Sequence, residues 1–332
     1  MTKFTSVLVT GGAGYIGSVL TRKLVDLKYD VRVLDSLIFG NDGISDLIST
    51  NSIELIEGDI RNEKTIERAI KDIDCVIHLA AIVGEPLCNI IPEAARQINE
   101  IATRKLVNIS KKKGIKRFIY SSTCSNYGSA SDVVNELTPV NSLSLYSETK
   151  VHSESFVLQS KSSNFEPCVL RFATAFGLSP RMRFDLLLQE FIHDAIVDNK
   201  ILVFGPNYWR PLVHVDDISN SCILALEKSA ELISGEIYNV GDSEENYTKI
   251  KLAELVQKYM PSAEIKIQES KKDPRNYRVS FDKIKNKLDF KITKTVPDGI
   301  QEIVYKIKKG KLNPRETEFY NLSKSTEKVK AC

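Results

Sequence analysis

A glycine-rich turn constrains the start of this chain more than any other feature. The apolar, β-branched run Phe4 to Thr10 leads directly into Gly11-Gly12-Ala13-Gly14-Tyr15-Ile16-Gly17, and a helical pattern follows from Ile16 to Leu27. Gly11, Gly14 and Gly17 follow directly on that run, and Gly12, Gly14 and Gly17 satisfy a G-x-G-x-x-G spacing. Glycines at these places permit a tight turn and close approach of backbone to a pyrophosphate, whose charge is met by free N–H groups at the helix start. A phosphate loop of the Gly-Lys-Ser/Thr type is excluded, because that ending is absent. Asp35 closes the next apolar run, where a carboxylate can accept hydrogen bonds from an adenosine ribose and would repel a 2′-phosphate. That favours NAD over NADP, although Arg32 nearby blurs the preference and Asp35 has the alternative of being an ordinary turn acid.

Short strand-like runs alternate with longer helical patterns through the first half. The strands are read at Phe4 to Thr10, Val31 to Leu34, Ile53 to Glu57, Cys75 to Leu79 and Arg117 to Ser122. Helices are read at Ile16 to Leu27, Glu63 to Ile70 and Pro92 to Lys113, the last opening on proline and closing on lysines. Strand, helix, strand repetition predicts a parallel sheet, continued by Cys168 to Phe172 and Ile237 to Val240. The fold class is therefore α/β, a Rossmann-like doubly wound parallel sheet with a smaller C-terminal substrate-binding lobe. The expected division is residues 1–174 and 211–243 for the dinucleotide-binding domain, 175–210 and 244–321 for the lobe, and a flexible tail at 322–332.

Composition narrows the function classes. With 46 basic and 43 acidic residues the formal charge is only +3, so no chain-wide field recruits nucleic acid or anionic lipid. No apolar stretch is long enough to span a bilayer, and no apolar segment follows the N-terminal Met-Thr-Lys. Six scattered cysteines without Cys-x-x-Cys spacing and four histidines without ligand spacing argue against disulfides or a metal site, and a reducing, cytoplasmic setting is expected.

Tyr146 and Lys150 stand four apart at the head of a predicted helix. Residues i and i+4 share a helical face, so an ammonium beneath a phenol would favour the phenolate and draw its pKa down from about 10. Alone the pair is weak evidence; behind a nucleotide loop it points to hydride-transfer chemistry.

In order along the chain come the glycine turn, Gly58-Asp59-Ile60-Arg61, His78-Leu79-Ala80-Ala81, Ser121-Ser122-Thr123, Tyr146-x-x-x-Lys150 and Arg210-Pro211-Leu212-Val213-His214-Val215-Asp216-Asp217. With this ordered set the chain resembles the extended short-chain dehydrogenase/reductases, and more narrowly the NAD-dependent nucleotide-sugar epimerase/dehydratase group, from about Phe4 to Lys309. The resemblance implies NAD held by Gly11, Gly14, Tyr15, Ile16, Gly17, Asp35, Asp59, Ile60, Leu79, Ala80, Ala81 and Lys150. It implies catalysis by Tyr146, Lys150 and Thr123, with oxidation at a sugar carbon, usually C4. A nucleotide-diphosphate sugar would be bound by Thr123, Tyr146, Thr174, Arg181, Arg183, Arg210 and Arg275, although a solvated basic loop is an equal reading of Arg181 and Arg183. His78 and His214 are assigned to structure. A homodimer packed through Pro92 to Lys113 and Tyr146 to Ser160 is implied as well.

Three departures limit the reading. Cys124-Ser125 stands where 4,6-dehydratases carry Asp-Glu, which disfavours dehydration. Arg171-Phe172-Ala173-Thr174 places threonine where the family often has an asparagine on the diphosphate. Cys124 is either an acid/base group near the sugar or a small buried residue. The leading expectation is a nucleotide-sugar 4-epimerase or a related C4 oxidoreductase. A net dehydrogenase or reductase of an activated sugar or small hydroxy compound is the alternative, and a non-catalytic NAD sensor ranks below both.

Overall fold

Seven short runs become one sheet in which every neighbouring pair is parallel. Its strands are β1 (Ser6–Thr10), β2 (Asp30–Asp35), β3 (Glu54–Glu57), β4 (Cys75–His78), β5 (Arg117–Thr123), β6 (Glu166–Phe172) and β7 (Glu236–Val240). Their spatial order is β3-β2-β1-β4-β5-β6-β7. The order reverses between β1 and β4, and in such sheets the crevice beyond the strand C-termini at that reversal is where ligands bind. Every residue of β1, β5 and β6 is buried, as a sheet covered on both faces requires. The computed structural model describes residues 4–268, 274–316 and 319–321; the tail expected at 322–332 lies outside them.

Helices cover both faces. On one, α1 (Tyr15–Asp26) packs against a helix at Val215–Glu227, burying Leu20, Leu24, Ile218, Cys222 and Leu226. On the other, α2 (Glu63–Ile70), α3 (Pro92–Lys112) and α4 (Leu145–Gln159) bury Ile66, Leu106, Val107 and Val157 against Leu8, Val76, Phe118 and Val169. The predicted single helix α3 contains a π-helical turn, Gln97–Ala102, between α-helical Pro92–Arg96 and Thr103–Lys112. Helix α4 starts on a reciprocal cap: Ser144 Oγ accepts from Ser147 N at 3.3 Å and Ser147 Oγ accepts from Ser144 N at 3.2 Å. Its buried face is unusually polar, with Ser147, Thr149, Lys150, Ser153 and Glu154 inside.

A second body of structure follows β6. Trp209–His214 pairs with Thr174–Phe176 and Asn246–Thr248 and does not join the large sheet. Helices Leu187–Val197, Lys249–Tyr259 and Val296–Lys308 pack around Phe176, Phe184, Leu188, Ile192, Leu252 and Ile300. Tyr15 and Val19 of α1 belong to this same core, so the helix behind the glycine turn is anchored on both sides. Among the described residues no helix is long and apolar enough to cross a membrane.

Candidate active site

At the sheet's reversal point the C-terminal ends of β1, β2, β4 and β5 open into a cleft of about 1230 Å3, including space open to solvent. The glycine turn is tightly packed where main chain meets main chain. Gly11 has φ 74°, and a Cβ there would lie 2.8 Å from Ala80 N; one on Gly17 would lie 2.1 Å from Gly11 O. At Gly14, by contrast, an added Cβ would meet only Gly11 O, at 3.3 Å, so the turn stays open towards the cleft. Helix α1 begins at Tyr15 with no capping side chain and no acidic residue in its first turn, which leaves its first amides for an anion.

Gly11, Gly14, Tyr15, Ile16, Gly17, Asp35, Asp59, Ile60, Leu79, Ala80, Ala81, Tyr146 and Lys150 all line this one cleft. Asp35 Oδ2 accepts from Ala13 N at 3.0 Å and Oδ1 from Leu37 N at 2.9 Å. Burial pushes its carboxyl up, opposed by those amides and by Arg181. Arg32 does not compete here: its guanidinium is spent on Glu54 and on the carbonyls of Ala69 and Lys71. Asp59 is held by Arg61 through Nη2 at 2.6 Å and Nε at 3.0 Å.

The tyrosine and lysine share the cleft. Lys150 Nζ donates to Ser121 O at 2.7 Å and lies 4.7 Å from the centre of the Tyr120 ring. Burial lowers its pKa to about 8, with Glu154 acting in the opposite direction. Loss of water pushes the Tyr146 hydroxyl well up, and the cations that oppose this are Arg183 and Arg275. The Lys150 ammonium is directed at the end of β5, and Arg183 and Arg275 are cations that bear on Tyr146.

Other expected residues are placed elsewhere. Thr123 is buried outside the cleft lining, where its Oγ1 accepts from Ser125 N at 3.1 Å and caps the turn Cys124–Tyr127; Ser121 and Ser122 line the cleft instead. Thr174 and Arg210 also lie outside the lining. Arg210 donates to the carbonyls of Trp209 and Arg275 and stacks 5.8 Å from the Tyr277 ring centre. Arg275 reaches Glu85 Oε1 at 3.2 Å and Ser125 Oγ at 3.1 Å, forming a polar cluster beside Tyr146. Arg183 and Arg181 both line the cleft; Arg181 acts on Asp35 and lies 4.5 Å from the Phe39 ring centre, near the end of β2.

The remaining candidates are structural. His78 is buried between Thr10 Oγ1 at 2.7 Å and Thr103 Oγ1 at 2.9 Å, and burial lowers its pKa to about 3, so it is neutral. His214 bonds Glu302 Oε1 at 2.6 Å and accepts from Asp216 N. Cys124 donates its thiol to Arg171 O at 3.2 Å and burial pushes it well above the usual thiol range, which is the packing role of the two considered.

The sequence reading missed Phe39, Ser121, Ser122, Glu85 and Glu154. Glu154 was within reach, since it stands four after Lys150 on the same helical face. It is buried, salt-bridged to Arg171 at 2.7 Å, and hydrogen-bonded by Asn126 Nδ2 at 2.7 Å and by Ser122 Oγ.

Comparisons with known proteins place the chain in a family. The NAD dependent epimerase/dehydratase family matches residues 7–241. A UDP-glucose 4-epimerase of Lactobacillus helveticus is 28% identical over 280 residues, covering 76% of this chain and 81% of that protein. The structure of a UDP-glucose 4-epimerase from Thermotoga maritima superposes with a TM-score of 0.82 at 27% identity, covering 92% of this chain and 99% of the other. A UDP-glucuronic acid 4-epimerase from Bacillus cereus, in complex with UDP-glucuronic acid and NAD, gives 0.83 at 26% identity with the same coverage.

Proposed function

Since the chain belongs to the NAD-dependent epimerase/dehydratase family and is an NAD-using enzyme of the short-chain dehydrogenase/reductase type, we propose that it is a nucleotide-sugar 4-epimerase or a closely related C4 oxidoreductase. One observation carries the reading: Tyr146 and Lys150 open onto the cleft that the glycine turn lines, with Arg183 and Arg275 bearing on the tyrosine.

In this reading the amides at the start of α1 hold the diphosphate of NAD, Asp35 accepts from the adenosine ribose, and Lys150 anchors the nicotinamide ribose. NAD, when bound, supplies a reversible hydride acceptor. Tyr146 removes the proton of the C4 hydroxyl and returns it after the 4-keto sugar has turned over in the site. Arg183 and Arg275 attract the sugar's diphosphate and favour the phenolate, since guanidinium groups bind phosphate oxygens in a fork. Their charge acts once the nucleotide sugar excludes water from the cleft. The absence of an acidic pair at Cys124-Ser125 favours epimerisation over dehydration.

Incubation with UDP-, GDP-, CDP- and dTDP-sugars under NMR tests the proposal, and no epimer or keto sugar from any of them would refute it. Absorbance of reduced nicotinamide during turnover separates epimerisation, which accumulates none, from net oxidation. Tyr146→Phe is expected to lower kcat by about 10²- to 10⁴-fold while NAD stays bound; a variant of near-wild-type kcat would remove Tyr146 as the base.

A further inference from the structure

Asn321 comes from far along the chain, yet it lines the same cleft as Tyr146, Arg183 and Leu186 and is only 4% exposed. It belongs to none of the motifs read from the sequence. Several contacts bring it there. Helix Val296–Lys308 ends, Gly310 turns the chain at φ 66°, and Leu312 packs on the lobe's core. Tyr320 OH then donates to Pro314 O at 3.2 Å, closing the segment on itself. Phe319 and Tyr320 flank Phe184, with ring centres 6.0 and 6.4 Å away, and Tyr320 meets the His193 ring edge-on at 5.9 Å. Phe184 N donates to Phe319 O at 3.0 Å. Because Phe184 is fully buried, the aromatic pair is fastened to a fixed point.

The segment also reaches the charged wall of the cleft. Asn321 N donates to Asp185 Oδ2 at 3.4 Å, the same oxygen that accepts from Arg183 Nη2 at 2.8 Å. Arg183 Nε donates to Asp185 Oδ1 at 2.9 Å, so the guanidinium is held in a fork. This is one of the two guanidinium groups whose charge bears on Tyr146. Asn321 therefore sits beside a cation assigned above to the sugar's diphosphate. A carboxamide offers N–H donors and a carbonyl acceptor, so it can match a sugar hydroxyl, which both donates and accepts.

We propose that Asn321 is a substrate-contacting residue: the segment Phe319–Asn321 forms one wall of the cleft, and the Asn321 carboxamide hydrogen-bonds a hydroxyl of the sugar next to its diphosphate. Phe319 and Tyr320 are the anchors, and Asp185 is the tie, that set its place. The inference rests on the nucleotide-sugar reading and deepens it, since it assigns part of the selection among sugars to a segment remote from Tyr146 in sequence.

The test is calorimetric binding to the full chain loaded with NAD. The ligands are the UDP-, GDP-, CDP- and dTDP-sugars of the turnover assay and the four parent nucleoside diphosphates. Asn321→Ala is expected to weaken binding of the accepted nucleotide sugar about threefold to tenfold, the worth of one neutral hydrogen bond, and to leave the parent nucleoside diphosphate unaffected. Phe319→Ala, which frees the segment from Phe184, is expected to reproduce that split. Should Asn321→Ala fail to fold, Asn321→Ser, too short to reach, carries the same expectation. Wild-type affinity for the nucleotide sugar in the Asn321 variant overturns the inference and leaves the epimerase reading standing. Equal weakening for nucleotide sugar and nucleoside diphosphate overturns it as well, because the contact would not be to the sugar. A wild type that binds no nucleotide sugar overturns both.

Discussion

At the scale of single residues, Tyr146 and Lys150 show burial and charge pulling in opposite directions. Burial lowers Lys150 to about 8 and raises Tyr146. A Lys150 that must be charged loses its proton as pH rises through about 8, so the rate should fall on the alkaline side from there. The negative charge of Glu154, one turn further along α4, stabilises the ammonium. Glu154→Gln removes that charge and should move the alkaline limb of kcat/KM to lower pH by about one unit. An unmoved limb would reduce the Glu154–Arg171 pair to a structural tie. The Tyr-x-x-x-Lys spacing was legible because a helix places both groups on one face. The cluster of Glu85, Ser125 and Arg275 was not, because its members come from three distant parts of the chain. Thr123 was located correctly on the strand end, but a sequence does not say whether a hydroxyl faces a cleft or caps the next turn.

Among elements, the glycine turn is the least tolerant. A Cβ at Gly17 meets the Gly11 carbonyl and the Gly12 Cα, backbone atoms that no rotamer change can move aside. Gly17→Ala is therefore expected to cost about 1–3 kcal/mol, at the level of overpacking in a tight interior, and to abolish retention of NAD. A thermal melt and nucleotide content like those of wild type would show the turn to be more pliant than its geometry states. This element could be read directly, since an apolar strand, spaced glycines and an amphipathic helix all agree. The π turn in α3 could not. It is fixed by tertiary bonds: Asn99 holds both polar groups of the Ile82 backbone, donating to O at 2.9 Å and accepting from N at 2.7 Å. Helix α4 hid its inward face for a related reason, since that face is polar and leaves little hydrophobic period to read.

For the whole molecule, alternation of strands and helices sufficed to predict the parallel sheet, because right-handed crossovers leave few alternatives. The division into domain and lobe was harder to read. Trp209–His214 sits in a separate small sheet, and α1 contributes Tyr15 and Val19 to the lobe's core. Pairing of two copies through α3 and α4 remains our proposal for the assembly. Ile101 is exposed on the π turn of α3 and Arg104 stacks on Phe156 of α4 at 5.3 Å, which gives that face an apolar and aromatic character. Light scattering should give a dimer, and Ile101→Glu should shift it towards monomer; a wild-type monomer would reject the pairing.

Asp35 has a consequence for anyone wishing to change the coenzyme. Each of its oxygens is already bonded to a main-chain amide, one in the glycine turn and one beyond the second strand. The carboxylate is thus a rivet as well as the proposed acceptor for the ribose hydroxyls. Swapping it for a neutral or basic side chain to admit a phosphorylated ribose would loosen the frame that does the gripping. Successful redesign would have to supply new acceptors for Ala13 and Leu37 before it altered selectivity.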